Sequence, residues 1–287
     1  MTEFYGTIAH EFQHLINYTW SLEHRNKNNT GPARMETWID EGLSAAAEYI
    51  YDPLFNSSRI DYFNEGTKTL AKGNNFYVWG ENDAVILDEY ATVYLFFQWL
   101  YIQANNDPGI YKKIFQSEYT DHRAVTEAAA ALFTDKEGWD GGIDGLLKNW
   151  YLANYVNKDN GLLGYRGVYP DLKVTPAEDA ELSFRPGEGA FSILPASGSW
   201  PPGGDSGPNI VYTGVVKNTG DLSGPSGPTG DMLLTFNRNV INRASLKETG
   251  YLTGNPAPKG SVLQSGRTAA PLRPFPIDPV RPPGGSR

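Results

Sequence analysis

The 287-residue chain contains no cysteine. That excludes a disulfide framework and any thiolate metal site, so a transition-metal centre here has only histidine and carboxylate side chains to draw on. Histidine is itself scarce, at four residues, which makes a close grouping of two of them informative. No stretch approaches the roughly 18 consecutive apolar residues of a membrane-spanning helix. Positive charge is also short: 24 Lys and Arg stand against 33 Asp and Glu, a formal charge of -9. Nucleic acid and anionic membranes bind basic surfaces, so neither is expected as a partner. The opening MTEFYGTIAHEF lacks the basic start, apolar block and small-residue cleavage site of a signal peptide.

What is present divides at about residue 170. Before it the text reads as helical. EFYGTIAHEFQHLINYTW carries Ile8, Phe12, Leu15 and Ile16 at helical spacing, with His10, Glu11 and His14 on a neighbouring stripe. WIDEGLSAAAEYIY is Ala-rich and helix-forming. DAVILDEYATVYLFFQWLYIQA is a long apolar helix stopped by NNDPG, and IYKKIF, HRAVTEAAAALF and IDGLLKNWYLANYV follow as shorter helices. After YVNKDNG, Gly, Pro, Ser and Thr rise and the apolar residues shorten into AELSF, AFSIL, NIVYTGVV and DMLLTF, which read as strands. The expected architecture is α+β and multidomain: a helical domain over 1–169, a small sandwich-like β domain over 170–254, and a Pro- and Gly-rich disordered tail over 255–287. No internal repeat at a solenoid or propeller period is seen.

The chemistry concentrates in AHEFQHLIN, residues 9–17. Residues four apart stack on one face of a helix, so His10 and His14 present two imidazoles a turn apart, which is chelate geometry. Zinc accepts imidazole nitrogen, and catalytic zinc sites use three protein ligands with one position left open. Glu11, one step round the helix, is placed to act as general base toward a water at that position. The plain alternative is a solvated amphipathic face. A third ligand decides between them, and Glu41 in WIDEGLSAAAEY is the candidate, 27 positions after His14 across the polar loop NKNNTGPAR. Gly42, Ser44, Ala45, Ala46 and Ala47 leave little bulk, so this second helix can come close enough for a short carboxylate. Glu48 lies two turns beyond on the same face, suited to accept from the outer nitrogen of His10 or His14 and fix its tautomer. Taken singly, Glu41 reads equally as an acid favoured by a helix N-terminus and Glu48 as a surface charge.

AHEFQHLINY followed by WIDEGLSAAAEY resembles the gluzincin metallopeptidases, in which the two His of H-E-x-x-H and a downstream Glu in an acidic-Glu-Gly motif hold zinc. The wording is most similar to the hyicolysin family of secreted bacterial neutral metallopeptidases. The resemblance covers roughly residues 5–155 and departs from the aminopeptidase branch, whose gap between motif and Glu is shorter. It implies Zn2+ held by His10, His14 and Glu41, a protein or peptide substrate, and an extracellular or cell-surface location. It also implies a sheet upstream of the metal helix, and with that helix beginning beside Met1 the expectation is a fragment truncated at its N-terminus.

The same resemblance reaches DEYATVYLFFQWL, which is similar to the gluzincin helix that supplies a tyrosine to the oxyanion and puts Tyr90 in the matching position. A phenol donates a hydrogen bond without carrying charge. The chain holds 17 Tyr, and Tyr90 also reads as a core residue; Tyr94, one turn on, is the fallback. His122, in YTDHRAV, is a second alternative donor, as a His serves in thermolysin-like gluzincins, and reads otherwise as a surface residue at a helix start. WDGGIDG lacks calcium-loop spacing and reads as a turn before a helix. The function expected is zinc-dependent peptide hydrolysis by an endopeptidase. The alternatives are a non-catalytic, adhesin-like surface protein retaining a metal helix, a metal-free helical protein, and an aminopeptidase.

Overall fold

A computed structural model describes residues 2–26, 33–53, 57–65, 83–177, 184, 186–194, 209–224 and 229–239. All of them belong to the unit Met1–Ala257; Pro258–Arg287 form a second unit outside the described residues, as does the whole expected tail 255–287. The expected strand AELSF lies outside them too, apart from Phe184, which is not in a strand. The fold is α+β. Among the described residues, seven α-helices precede a small antiparallel sheet.

Helix α1 (Thr2–Trp20) runs on into one wide π-helical turn, Ser21–Arg25. Arg25 fixes that turn: its guanidinium donates to Ser21 Oγ at 2.9 Å, to the Ser117 carbonyl at 2.8 Å and to the Phe115 carbonyl. It thereby satisfies carbonyl oxygens at the end of a short helix, α5 (Gly109–Phe115), that have no partner within that helix. The apolar stripe of α1 is not its buried side. Ile8, Phe12 and Leu15 are exposed and Ile16 is half-buried, whereas His10, His14 and Asn17 are buried. Helix α2 (Thr37–Tyr51) packs against that polar face.

Behind α2 lies α4 (Asp83–Gln103), in which every residue from Ala91 to Leu100 is buried. A helix apolar all round must be surrounded; α2 and α3 (Ser57–Glu65) both pack against it. Where α2 crosses α4, Gly42 is required by space: a Cβ there would lie 2.2 Å from Phe97 Cε2. Helix α4 stops because Asn105 and Asn106 both take left-handed backbone, φ 59°, which asparagine tolerates better than most residues, and Pro108 starts α5. Helix α6 (His122–Leu132) is capped by Asp121, whose side chain accepts from the Arg123 N–H at 3.0 Å. WDGGIDG forms a turn ahead of α7 (Ile143–Val156), with Asp140 Oδ1 accepting from the Gly142 N–H at 2.9 Å.

The sheet comprises β1 (Gly189–Ile193), β2 (Ile210–Val215), β3 (Leu222–Ser223) and β4 (Met232–Asn237) in the order β1-β4-β2-β3, each pair antiparallel. Among the described residues it is the single sheet. One face meets α7: Tyr151 lies against Phe236 and Tyr155 against Phe191, with ring centroids 5.8 and 5.3 Å apart. Phe191, Val215, Leu234 and Phe236 therefore share one buried core with the helices. The sheet packs on α7, whereas the polar face of α1 packs on α2.

Candidate metal centre

Helix α1 brings its two histidines together by local geometry alone, one helical turn apart, with ring centroids 4.8 Å apart and edge to face. Packing of α2 adds the carboxylate. Glu41 Oε2 lies 3.2 Å from His10 Nε2 and 3.6 Å from His14 Nε2. His10, His14 and Glu41 are 5%, 8% and 4% exposed, and their ligating atoms all fall within 4.8 Å of one another. Two ligands at about 2.1 Å from a tetrahedral zinc stand about 3.4 Å apart, so the spacing suits such an ion.

The outward nitrogens are held as well. His10 Nδ1 meets Glu48 Oε1 at 2.7 Å. His14 Nδ1 lies 3.0 Å from Asp40 Oδ2 and 3.2 Å from Ser44 Oγ. Asp40 in turn accepts from Asn17, whose own carbonyl accepts from Gln13 at 2.9 Å. A carboxylate beside each Nδ1 assigns the proton of a neutral imidazole to that atom and leaves Nε2 as a lone pair facing Glu41.

Such a centre demands positive charge. Burial opposes protonation of both imidazoles, yet Glu41 and Glu48 raise His10 above its ordinary value, and Asp40 and Glu41 hold His14 up at about 10. Burial would likewise push the Glu41 carboxyl up, but the two imidazoles hold it down at about 2. Glu41 Oε2 is buried and makes no well-aligned hydrogen bond. A carboxylate oxygen and two imidazole nitrogens, converging out of water with their outer atoms already satisfied, fit a divalent ion bound by nitrogen and oxygen. Such a metal would be held by His10, His14 and Glu41.

Tyr90 of α4 stands at the edge of the cluster, its ring centroid 6.4 Å from that of His10. Burial above all, then the charge of Glu41 and a hydrogen bond with it, push the phenol well above its ordinary value; the Arg59 cation offsets only part. Tyr90 is thus a neutral donor. Tyr94 is turned to Tyr169, with hydroxyls 3.3 Å apart, and burial raises it to about 12. Glu11 is exposed, beside His10 in the chain. His122 is not brought to the cluster: it opens α6, its electrostatic neighbours are Asp121 and Arg123, and burial pushes its imidazole down.

Two residues join the centre that the sequence did not single out. Asp40 was within the quoted acidic-Glu-Gly motif, and its position beside Glu41 was the available signal. Arg59 of α3 had none. Its Nη2 donates to Glu48 Oε2 at 2.8 Å and its guanidinium carbon lies 5.4 and 5.7 Å from the ring centroids of Tyr90 and Tyr94.

With two histidines and a carboxylate, the site defines a candidate mononuclear metal centre. No family model matches the chain. It is similar to neutral metalloprotease ShpI of Staphylococcus hyicus, with 29% identity over 178 residues, which are 62% of this chain and 38% of that protein. The match thus takes in less than two fifths of the relative's length. Among the described residues, no helix is long and apolar enough to cross a membrane.

Proposed function

We propose that this chain carries the metal-binding helices of a zinc peptidase of gluzincin type, of the hyicolysin family, and that it acts as an endopeptidase on protein or peptide substrates at an extracellular or cell-surface location. The observation that carries this reading is the buried Glu41 Oε2 at 3.2 and 3.6 Å from two imidazole nitrogens, with an exposed Glu next to the first of them. The likeness to a neutral metalloprotease supports it. The division into a catalytic region over 1–169, an accessory β region over 170–254 and a tail belongs to the same proposal.

In this reading His10, His14 and Glu41 hold the ion, which when bound supplies Lewis acidity and lowers the pKa of water toward about 7. Glu11 takes the proton of the attacking water and passes it to the leaving amine. Tyr90, kept protonated by burial and by Glu41, donates to the substrate oxygen as negative charge develops there. Glu48 and Asp40 hold the imidazoles in the tautomer that turns Nε2 inward. Burial of the three ligands lowers the local dielectric, so each of these charges acts more strongly than it would in water.

The test is Glu11→Gln. Purified chain should carry stoichiometric zinc and cleave casein until a chelator is added; the variant should retain the zinc and lose about 10²–10⁴ in hydrolysis rate. Unchanged turnover in the variant, or no zinc in the unaltered chain, overturns the proposal. Comparing free with amino-blocked peptides separates endopeptidase from aminopeptidase action.

A further inference from the structure

The metal ligands and the tyrosine come from α1, α2 and α4, and one side chain from a fourth element touches the groups that orient both. Arg59 of α3 is 8% exposed. It donates through Nη2 to Glu48 Oε2 at 2.8 Å, while the other oxygen of the same carboxylate meets His10 Nδ1 at 2.7 Å. A carboxylate shared in this way has each oxygen committed to a different partner, so its plane and rotamer are set from both ends. The guanidinium also lies over the rings of Tyr90 and Tyr94, its carbon 5.4 and 5.7 Å from their centroids, within cation–π range. Arginine suits this position because its planar cation donates at its edge while stacking with its faces, which an ammonium cannot do.

We propose that Arg59 is a positioning residue: through Glu48 it fixes the His10 imidazole, and through its stacking it fixes the Tyr90 ring, so that metal ligand and oxyanion donor are set by one side chain. This rests on the zinc reading above. Arg59 is buried, and its effect passes through the groups it holds. Without it, Glu48 is a buried carboxylate whose hold on His10 loses its counter-charge. The imidazole can then turn or change tautomer, and zinc affinity falls.

The experiment measures zinc affinity by chelator competition in the Glu11→Gln chain, so that the readout does not depend on turnover. Loss of an outer partner of a metal-bound histidine lowers affinity by about 10- to 100-fold, and that is the weakening expected for Arg59→Met. Arg59→Lys, which restores charge beside Glu48, should recover most of it. The Arg59→Met loss should not add to that of Glu48→Gln, because the two act in series. Where Arg59→Met does not fold, Arg59→Gln takes its place with the same expectations. With Glu11 restored, Arg59→Lys should lower kcat more than it raises KM, since lysine keeps the charge and loses the planar contact with both rings. Unchanged zinc affinity in Arg59→Met or Arg59→Gln, or losses that add in full with Glu48→Gln, overturns the proposal. Failure of the unaltered chain to bind zinc would instead overturn the zinc reading itself.

Discussion

On one side of α1, His10, His14 and Asn17 are buried against α2; on the other, Phe4, Ile8, Phe12 and Leu15 face solvent. Nothing of the kind occurs on α4, where ten consecutive residues from Ala91 to Leu100 are buried and most of them are apolar. The hydrophobic effect by itself would turn α1 the other way, since a buried apolar side chain is worth about 1.5–3 kcal/mol over an exposed one. Burying unpaired polar groups costs about as much again. The orientation of α1 is tolerated because each buried polar side chain of its inner face meets a partner on α2: Glu48 for His10, Asp40 and Ser44 for His14, Asp40 for Asn17. The contrast teaches that α4 is placed by burial of apolar surface and α1 by complementarity of polar groups, which is the mark of a site rather than of a core.

That comparison can be broken outright. If the inner face of α1 is kept for binding and adds little to stability, replacing the whole buried ionic group, His10 and His14 by Leu and Glu41, Glu48 and Arg59 by Met, should abolish zinc binding and raise the stability of the metal-free chain by about 1–4 kcal/mol, as seen where buried ionic groups give way to apolar ones. Urea denaturation in the presence of a chelator reads this; a marked loss of stability would mean that the polar face also holds the fold together. A smaller effect tests the apolar side of α2. Gly42→Ala puts a Cβ into the ring of the fully buried Phe97, and should cost about 1–3 kcal/mol through overpacking. An unchanged denaturation midpoint would show that α2 can shift off α4 freely. Least of all should follow from the outer face of α1: Phe12→Ser, at a position 58% exposed, is expected to change stability by no more than about 0.5 kcal/mol. A large loss on the same denaturation curve would show that the exposed stripe is a structural contact after all.

Much of this was legible before any coordinates. The stop at NNDPG could be read from Pro108 and Gly109 as helix breakers; the turn itself is made by Asn105 and Asn106 in left-handed backbone, and Pro108 and Gly109 open the next helix. The strand runs AFSIL, NIVYTGVV and DMLLTF fall on β1, β2 and β4, since alternation reports a half-buried sheet. His10 and His14 could be placed together because i and i+4 are neighbours on any helix. The small residues after Glu41 signalled a close approach, although Gly42 turned out to admit Phe97 of α4, while Ser44 is the one that faces His14. Which stripe of α1 lies inside was not legible: periodicity groups residues by face and carries no sign for the direction of burial. Arg59 was out of reach for a different reason, since it lies eleven positions after Glu48 on another helix and no local pattern links them.

The sequence by itself determined the helices α1, α2 and α4 to α7 and the strands β1, β2 and β4, but neither α3 nor β3; it also determined the pairing of His10 with His14 and a chemistry confined to nitrogen and oxygen ligands, because these follow from backbone periodicity and from which side chains exist. Only the tertiary structure decided that Glu41 closes on both imidazoles, that Glu48 and Asp40 take their outer nitrogens, and that Arg59 reaches Glu48 and two tyrosines at once. Contacts between separate helices depend on how α1 packs on α2 and how α2 and α3 pack on α4, and that packing is set by the sum of buried surface over the whole core rather than by any segment read alone.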